Sequence, residues 1–75
     1  MLRAKFLRSD VRCSVAGLVA AGYREVPGRG NQFGEYVFFV HDSQTPQTLE
    51  EAYEILDKTF FFPPYGVWVD GKRLE

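Results

Sequence analysis

His41-Asp42-Ser43 places the three side-chain types of a hydrolytic triad next to one another. That chemistry needs a hydroxyl, an imidazole to take its proton and a carboxylate to orient the imidazole, converging from separate segments. Neighbours on an extended chain point to opposite faces, so the run does not build that geometry. His41 is the single histidine and Cys13 the single cysteine, which excludes an intramolecular disulfide and the usual zinc clusters. Cys13 has no base close to it in sequence and is expected to be a semi-buried structural thiol. The run 28–34, "GRGNQFG", is rich in glycine, but phosphate-binding loops feed a helix N-terminus and this one leads into a strand. No catalytic residue, metal ligand or cofactor is assigned, and the chain is expected not to be an enzyme.

What remains is suited to binding. Thr59–Val69, "TFFFPPYGVWV", gathers five aromatic side chains in a chain that is 16% aromatic. Large rings carry much of the energy of protein interfaces because they desolvate a wide area at low entropic cost. On a predicted second helix, Glu50, Glu54 and Asp57 share one face. Basic residues gather early instead: residues 1–34 carry a net charge of +4 and residues 35–75 a net charge of −5, for −1 overall. The blander reading of that split is that the two halves pack together and pair their charges.

The elements that hold these groups follow from periodicity. "LRAKFLR" alternates, with Leu2, Ala4 and Phe6 on one side and Arg3 and Lys5 on the other, as in a half-buried strand. Ser9 or Asp10 is expected to cap a helix whose apolar positions are Val11, Val15, Leu18 and Val19, and Gly22 to end it. "YREV" and "EYVFFVHD" form two strands around the glycine-rich turn. Thr48 and Glu51 make a capping box for a second helix with Leu49, Ala52, Tyr53 and Leu56 as its stripe. "YGVWV" is a last strand running into an Asp70-Gly71 turn.

The order strand, helix, strand, strand, helix, strand predicts a single small α+β domain over 1–75. Its pattern resembles the ferredoxin-like arrangement: βαββαβ, a four-stranded antiparallel sheet with two helices on one face. An alternative is a three-stranded sheet with the first strand as an arm. Small residues on the first helix (Ala16, Gly17, Ala20, Ala21) are expected to admit the second helix close beside it. Phe60 and Phe62 are expected to close the core, leaving Phe61 and Tyr65 near Trp68 at a sheet edge.

This topology leaves one sheet face without helices, displaying Arg3, Lys5, Tyr36, Phe38 and Trp68. Tyr36-Val37-Phe38-Phe39 resembles the end of the third-strand signature of the RNA-recognition-motif family, whose open sheet stacks bases on aromatic side chains. The Arg-Gly that the signature wants is displaced to Arg29-Gly30, and the first strand offers no aromatic residue to that face. Residues 18–33, "LVAAGYREVPGRGNQF", resemble the HicA toxin pattern of helix, Gly-aromatic strand and polar turn. The family's histidine is replaced by Asn31 and Gln32, so its mRNA cleavage is not implied.

Two readings follow. The leading one is a non-enzymatic protein-interaction domain, an inhibitor or adaptor, contacting another protein or a second copy. It would use Tyr36, Phe38, Phe61, Tyr65 and Trp68 with the acidic face Glu50, Glu54 and Asp57. In type it resembles small phage-encoded inhibitors of host or CRISPR machinery (anti-CRISPR proteins), which are tiny, aromatic-rich and without a catalytic constellation. The alternative is a single-stranded nucleic-acid-binding module using Arg3, Lys5, Tyr36 and Phe38. A lone cysteine points to a reducing, cytoplasmic setting. No run reaches the ~20 apolar residues of a membrane-spanning helix, and Ser9, Asp10 and Arg12 interrupt the N-terminal run that would otherwise suggest a signal peptide.

Overall fold

The computed structural model describes residues 1–27 and 34–75. Of the glycine-rich turn expected at 27–34, residues 28–33, with Arg29, Gly30, Asn31 and Gln32, lie outside the described residues. Along the chain run β1 (Leu2–Leu7), a 3-10 turn (Arg8–Asp10), α1 (Val15–Ala20), β2 (Tyr23–Val26), β3 (Tyr36–His41), α2 (Leu49–Asp57), β4 (Gly66–Val69) and β5 (Lys72–Arg73). The strands form one antiparallel sheet in the order β2-β3-β1-β4-β5. β1 is therefore the central strand and not an arm. The sheet has five strands where four were expected.

Alternation in β1 sets the two faces. Leu2, Ala4 and Phe6 are buried, while Arg3, Lys5 and Leu7 are half-buried on the other side. Antiparallel register carries that parity outward: Ala4 sits opposite Phe39 and Val67, and Phe6 opposite Val37. These residues form one core with Leu18 of α1 and Ala52 and Leu56 of α2. Phe60, just after α2, closes it by stacking on Phe6 at 4.2 Å and meeting the edge of Tyr23 at 5.2 Å. Each such ring contributes roughly 1.5–3 kcal/mol through removal from water.

α2 starts at the Thr48 cap that was expected, with the return bond of the capping box made one residue earlier, to Gln47. The Thr48 hydroxyl accepts from the Glu51 amide at 3.2 Å, while the Glu51 carboxylate accepts from the Gln47 amide at 2.9 Å. The cap satisfies one of the N–H groups left open at the helix start, and the Glu51 carboxylate ties down the residue ahead of the cap. The start of α1 differs from expectation. Arg8–Asp10 close a 3-10 turn, and Val11 and Cys13 pack against the core from non-helical chain. The helix begins at Val15, capped by Ser14, whose hydroxyl accepts from the Gly17 amide. Six residues make fewer than two turns, so only Leu18 is buried; Val15 and Val19 are 80% and 65% exposed. Ala16, Gly17 and Ala20 are also exposed, and do not serve as the expected seat for α2.

The fifth strand comes from the Asp70-Gly71 turn. Both residues have positive φ (50° and 83°), the requirement of the two-residue hairpin turn whose twist suits paired strands. Lys72 and Arg73 return beside Val69 and Trp68. The amino group of Met1 holds the Asp70 carboxylate at 2.7 Å, tying the start of β1 to this hairpin.

Candidate functional site

Register alone determines what the open face carries. Arg3 lies opposite Trp68, Lys5 opposite Phe38, Leu7 opposite Tyr36, and Trp68 opposite Arg73. Directly opposed residues in an antiparallel pair share a face, so cations and rings are interleaved across four strands. The Arg3 guanidinium sits 4.8 Å from the centroids of both Phe38 and Trp68. The Lys5 ammonium is 4.2 Å from Tyr36, and the Arg73 guanidinium is 5.2 Å from Trp68. All lie within the range in which a ring quadrupole attracts a cation. Tyr65 extends the row by meeting the edge of Tyr36 at 5.7 Å, its amide donating to the Lys5 carbonyl.

Two details fix Trp68. A Cβ on Gly66 would lie 2.6 Å from the indole ring, so the absence of a side chain there lets the ring lie down against the strand. Phe38 packs at 6.0 Å on its other flank. The result is a cleft of about 380 Å³ lined by Arg3, Lys5, Pro27, Phe38, Trp68 and Arg73, with no carboxylate in its wall. Arg3 and Lys5 form no ion pair among the described residues. The Arg3 Nε is buried with no hydrogen-bond partner among the described residues, while the Arg73 Nε donates to the Glu75 main-chain oxygen.

The acids lie elsewhere. Glu50, Glu54 and Asp57 are exposed on α2, which turns Ala52 and Leu56 into the core on the helical side. Charge is thus divided between the two sides of the molecule rather than only between its halves. The exposed ion pairs Arg24–Asp42 at 2.8 Å and Arg8–Glu25 at 3.8 Å absorb part of the rest. Arg24 holds the Asp42 carboxyl below the usual aspartate range through their hydrogen bonds. Tyr53, hydrogen-bonded to Glu75, has its phenol pushed up to about 12, chiefly by that bond.

Of the residues expected on the open face, Arg3, Lys5, Tyr36, Phe38 and Trp68 are brought together there. Phe38 is only 4% exposed because Arg3, Lys5 and Trp68 roof it, so it supports the surface and does not present one. Phe61 is 82% exposed. Tyr65 joins Tyr36 where an approach to Trp68 was expected. Phe62 does not close the core: it is exposed, with the Arg12 guanidinium 5.8 Å from its ring. Arg73 is the residue that sequence reasoning missed, and Asp70-Gly71 after an alternating strand was the signal for the hairpin that delivers it.

His41 and Ser43 do approach, with the hydroxyl 3.3 Å from Nδ1. Asp42 is committed to Arg24, and the imidazole Nε2 lies against Gly22. The Cys13 thiol donates to the Thr59 carbonyl at 2.9 Å, a structural role. Among the described residues no group of three histidine, cysteine or carboxylate side chains is placed to hold a metal ion, and no helix is long and apolar enough to cross a membrane. Comparison with family models, curated proteins and solved structures returns no match to this chain.

Proposed function

We propose that the protein is a non-enzymatic binding module whose open sheet face takes single-stranded nucleic acid. One observation carries this reading: Arg3, Lys5 and Arg73 converge with Trp68 on a cleft whose wall holds no carboxylate, and Tyr36 lies under the Lys5 ammonium. Phosphates meet the three cations, and bases stack on exposed ring surface or on guanidinium planes. The net charge of −1 does not oppose this, because the acids of α2 face away from the cleft. The order β4-β1-β3-β2, with helices in the two crossovers, supports a ferredoxin-like core to which β5 is added. A lone free cysteine suits a reducing, cytoplasmic setting.

The test is a gel-shift series with single-stranded DNA and RNA oligonucleotides at rising salt. Affinity should fall steeply with salt, and Arg3→Ala, Lys5→Ala and Arg73→Ala should each weaken binding and lower the salt slope by about 1. No binding even at low salt would sink the reading.

A specific observation favours a second reading, an inhibitor or adaptor that binds another protein. Phe61, Phe62 and Tyr65 are exposed around the stiff Pro63-Pro64 segment, a concentration of apolar rings that commonly marks a protein contact. Affinity capture from nuclease-treated host lysate separates the two. Under this second reading a protein partner survives the nuclease and is lost with Phe61→Ala but kept with Lys5→Ala.

A further inference from the structure

The rings of the open face stand in two groups along β1. Trp68 lies opposite Arg3, with Arg73 beyond it on the outer strand. Tyr36 lies opposite Leu7 on one flank of β1, and Tyr65 reaches it from the other flank, the two rings 5.7 Å apart. From Arg3 to Leu7 the strand advances by roughly 14 Å. That is close to two steps of an extended single strand of nucleic acid, so the two platforms leave room for one base between them. The surface changes character there. Phe38, the ring in that position, is buried, and the Arg3 guanidinium and Lys5 ammonium cover it, 4.8 and 5.9 Å from its centroid.

We propose that the open face binds an unpaired stretch of three nucleotides laid along β1, selected by length and not by sequence. The inference rests on the nucleic-acid reading above and names the unit of ligand that this face takes. The outer bases stack on Trp68 and on the Tyr36–Tyr65 pair, and the two phosphates between them meet Arg3 and Lys5. The central base finds cations in place of a ring and contributes little. Stacking uses the π face that every base has. Among the described residues, no side chain in the cleft wall accepts a hydrogen bond, so the amino groups of adenine, cytosine and guanine find no side-chain partner there.

The experiment titrates the full chain, uniformly ¹⁵N-labelled, at low salt with oligothymidylates of one to six nucleotides, following the amide shifts of Leu2–Leu7. Affinity should climb up to the trimer and then gain only about fourfold by the hexamer, the number of registers a three-nucleotide site finds on six. Within the trimer, an abasic outer position should cost roughly 5-fold or more, the worth of one stacked base, and an abasic centre much less. Trp68→Ala should cancel the cost at one outer position and leave the other, whereas Tyr65→Ala should reduce the other. Should Trp68→Ala not fold, Tyr65→Ala, at an exposed residue, still makes the comparison. Trimers of thymidylate and cytidylate should bind alike. Hexamer binding with no plateau at three, equal costs at all three abasic positions, or a preference of about tenfold or more between the two trimers would overturn the proposal and leave the nucleic-acid reading standing. A hexamer that does not bind overturns both.

Discussion

On the open face every ring has a neighbour: Arg3 lies between Phe38 and Trp68, Lys5 over Tyr36, and Arg73 over Trp68. Across the sheet, at α1, two valines face solvent above a cavity. β3 serves both surfaces, with Tyr36 and Phe38 on one side and Val37 and Phe39 on the other, so its composition alone does not explain the contrast. Helix length does. α2, with nine residues and a Thr48 cap, turns Ala52 and Leu56 inward, whereas six-residue α1 turns in one. The face without helices is finished by long side chains from neighbouring strands, and the covered face is only as well finished as its helices are long. Alternation can complete a sheet surface locally, while helix packing depends on where a helix starts.

Substitutions can break this contrast. The largest effect belongs to Phe60→Ala, which removes a ring packed on Phe6, Tyr23 and Phe39. It should cost about 3–5 kcal/mol in denaturant unfolding, whereas Phe61→Ala, one residue on and exposed, should stay within about 0.5 kcal/mol. Within α1, Leu18→Ala should cost about 2–3 kcal/mol, at the low end for leucine because its surroundings are already incompletely filled. Val19→Ala should change stability hardly at all; a loss near that of Leu18 would mean that something covers the valine in solution. Gly66→Ala tests the finished face. Its methyl group must displace the Trp68 ring, and we expect a loss of about 1–3 kcal/mol together with weaker oligonucleotide binding.

The smallest effect concerns pH. The Asp42 carboxyl is lowered in the folded protein by Arg24, so the pair stabilises the fold above the ordinary aspartate pKa. That contribution is lost as pH falls through the lowered value, and salt should screen it because both partners are exposed. Comparing Asp42→Asn with the parent in acid unfolding at low and high salt measures it.

Much of this was legible in residue types and spacing. Alternation in β1 placed Arg3 and Lys5 correctly, and the Thr48–Glu51 pair located the start of α2. Parity put Tyr36, Phe38 and Trp68 on one face. It did not reveal that Phe38 would be roofed, because cover depends on which neighbours fold over it from other strands. The start of α1 was misplaced because Ser9 and Asp10 have capping chemistry as good as that of Ser14, and the competition is settled by Val11 and Cys13 reaching the core from extended chain. Phe62 went astray for a related reason. Alternation assigns faces only along a regular strand, and residues between α2 and β4 have no sheet partner to enforce it.

Trp68 is the chain's only tryptophan, and it lies flat over Gly66 with a guanidinium group close to it from each neighbouring strand. Indole emission is sensitive to nearby charge and to stacked rings. The intrinsic fluorescence of the unmodified protein therefore reports from the middle of the candidate surface. An anion that draws Arg3 and Arg73 away, or a base that stacks on the indole, should change its intensity or wavelength.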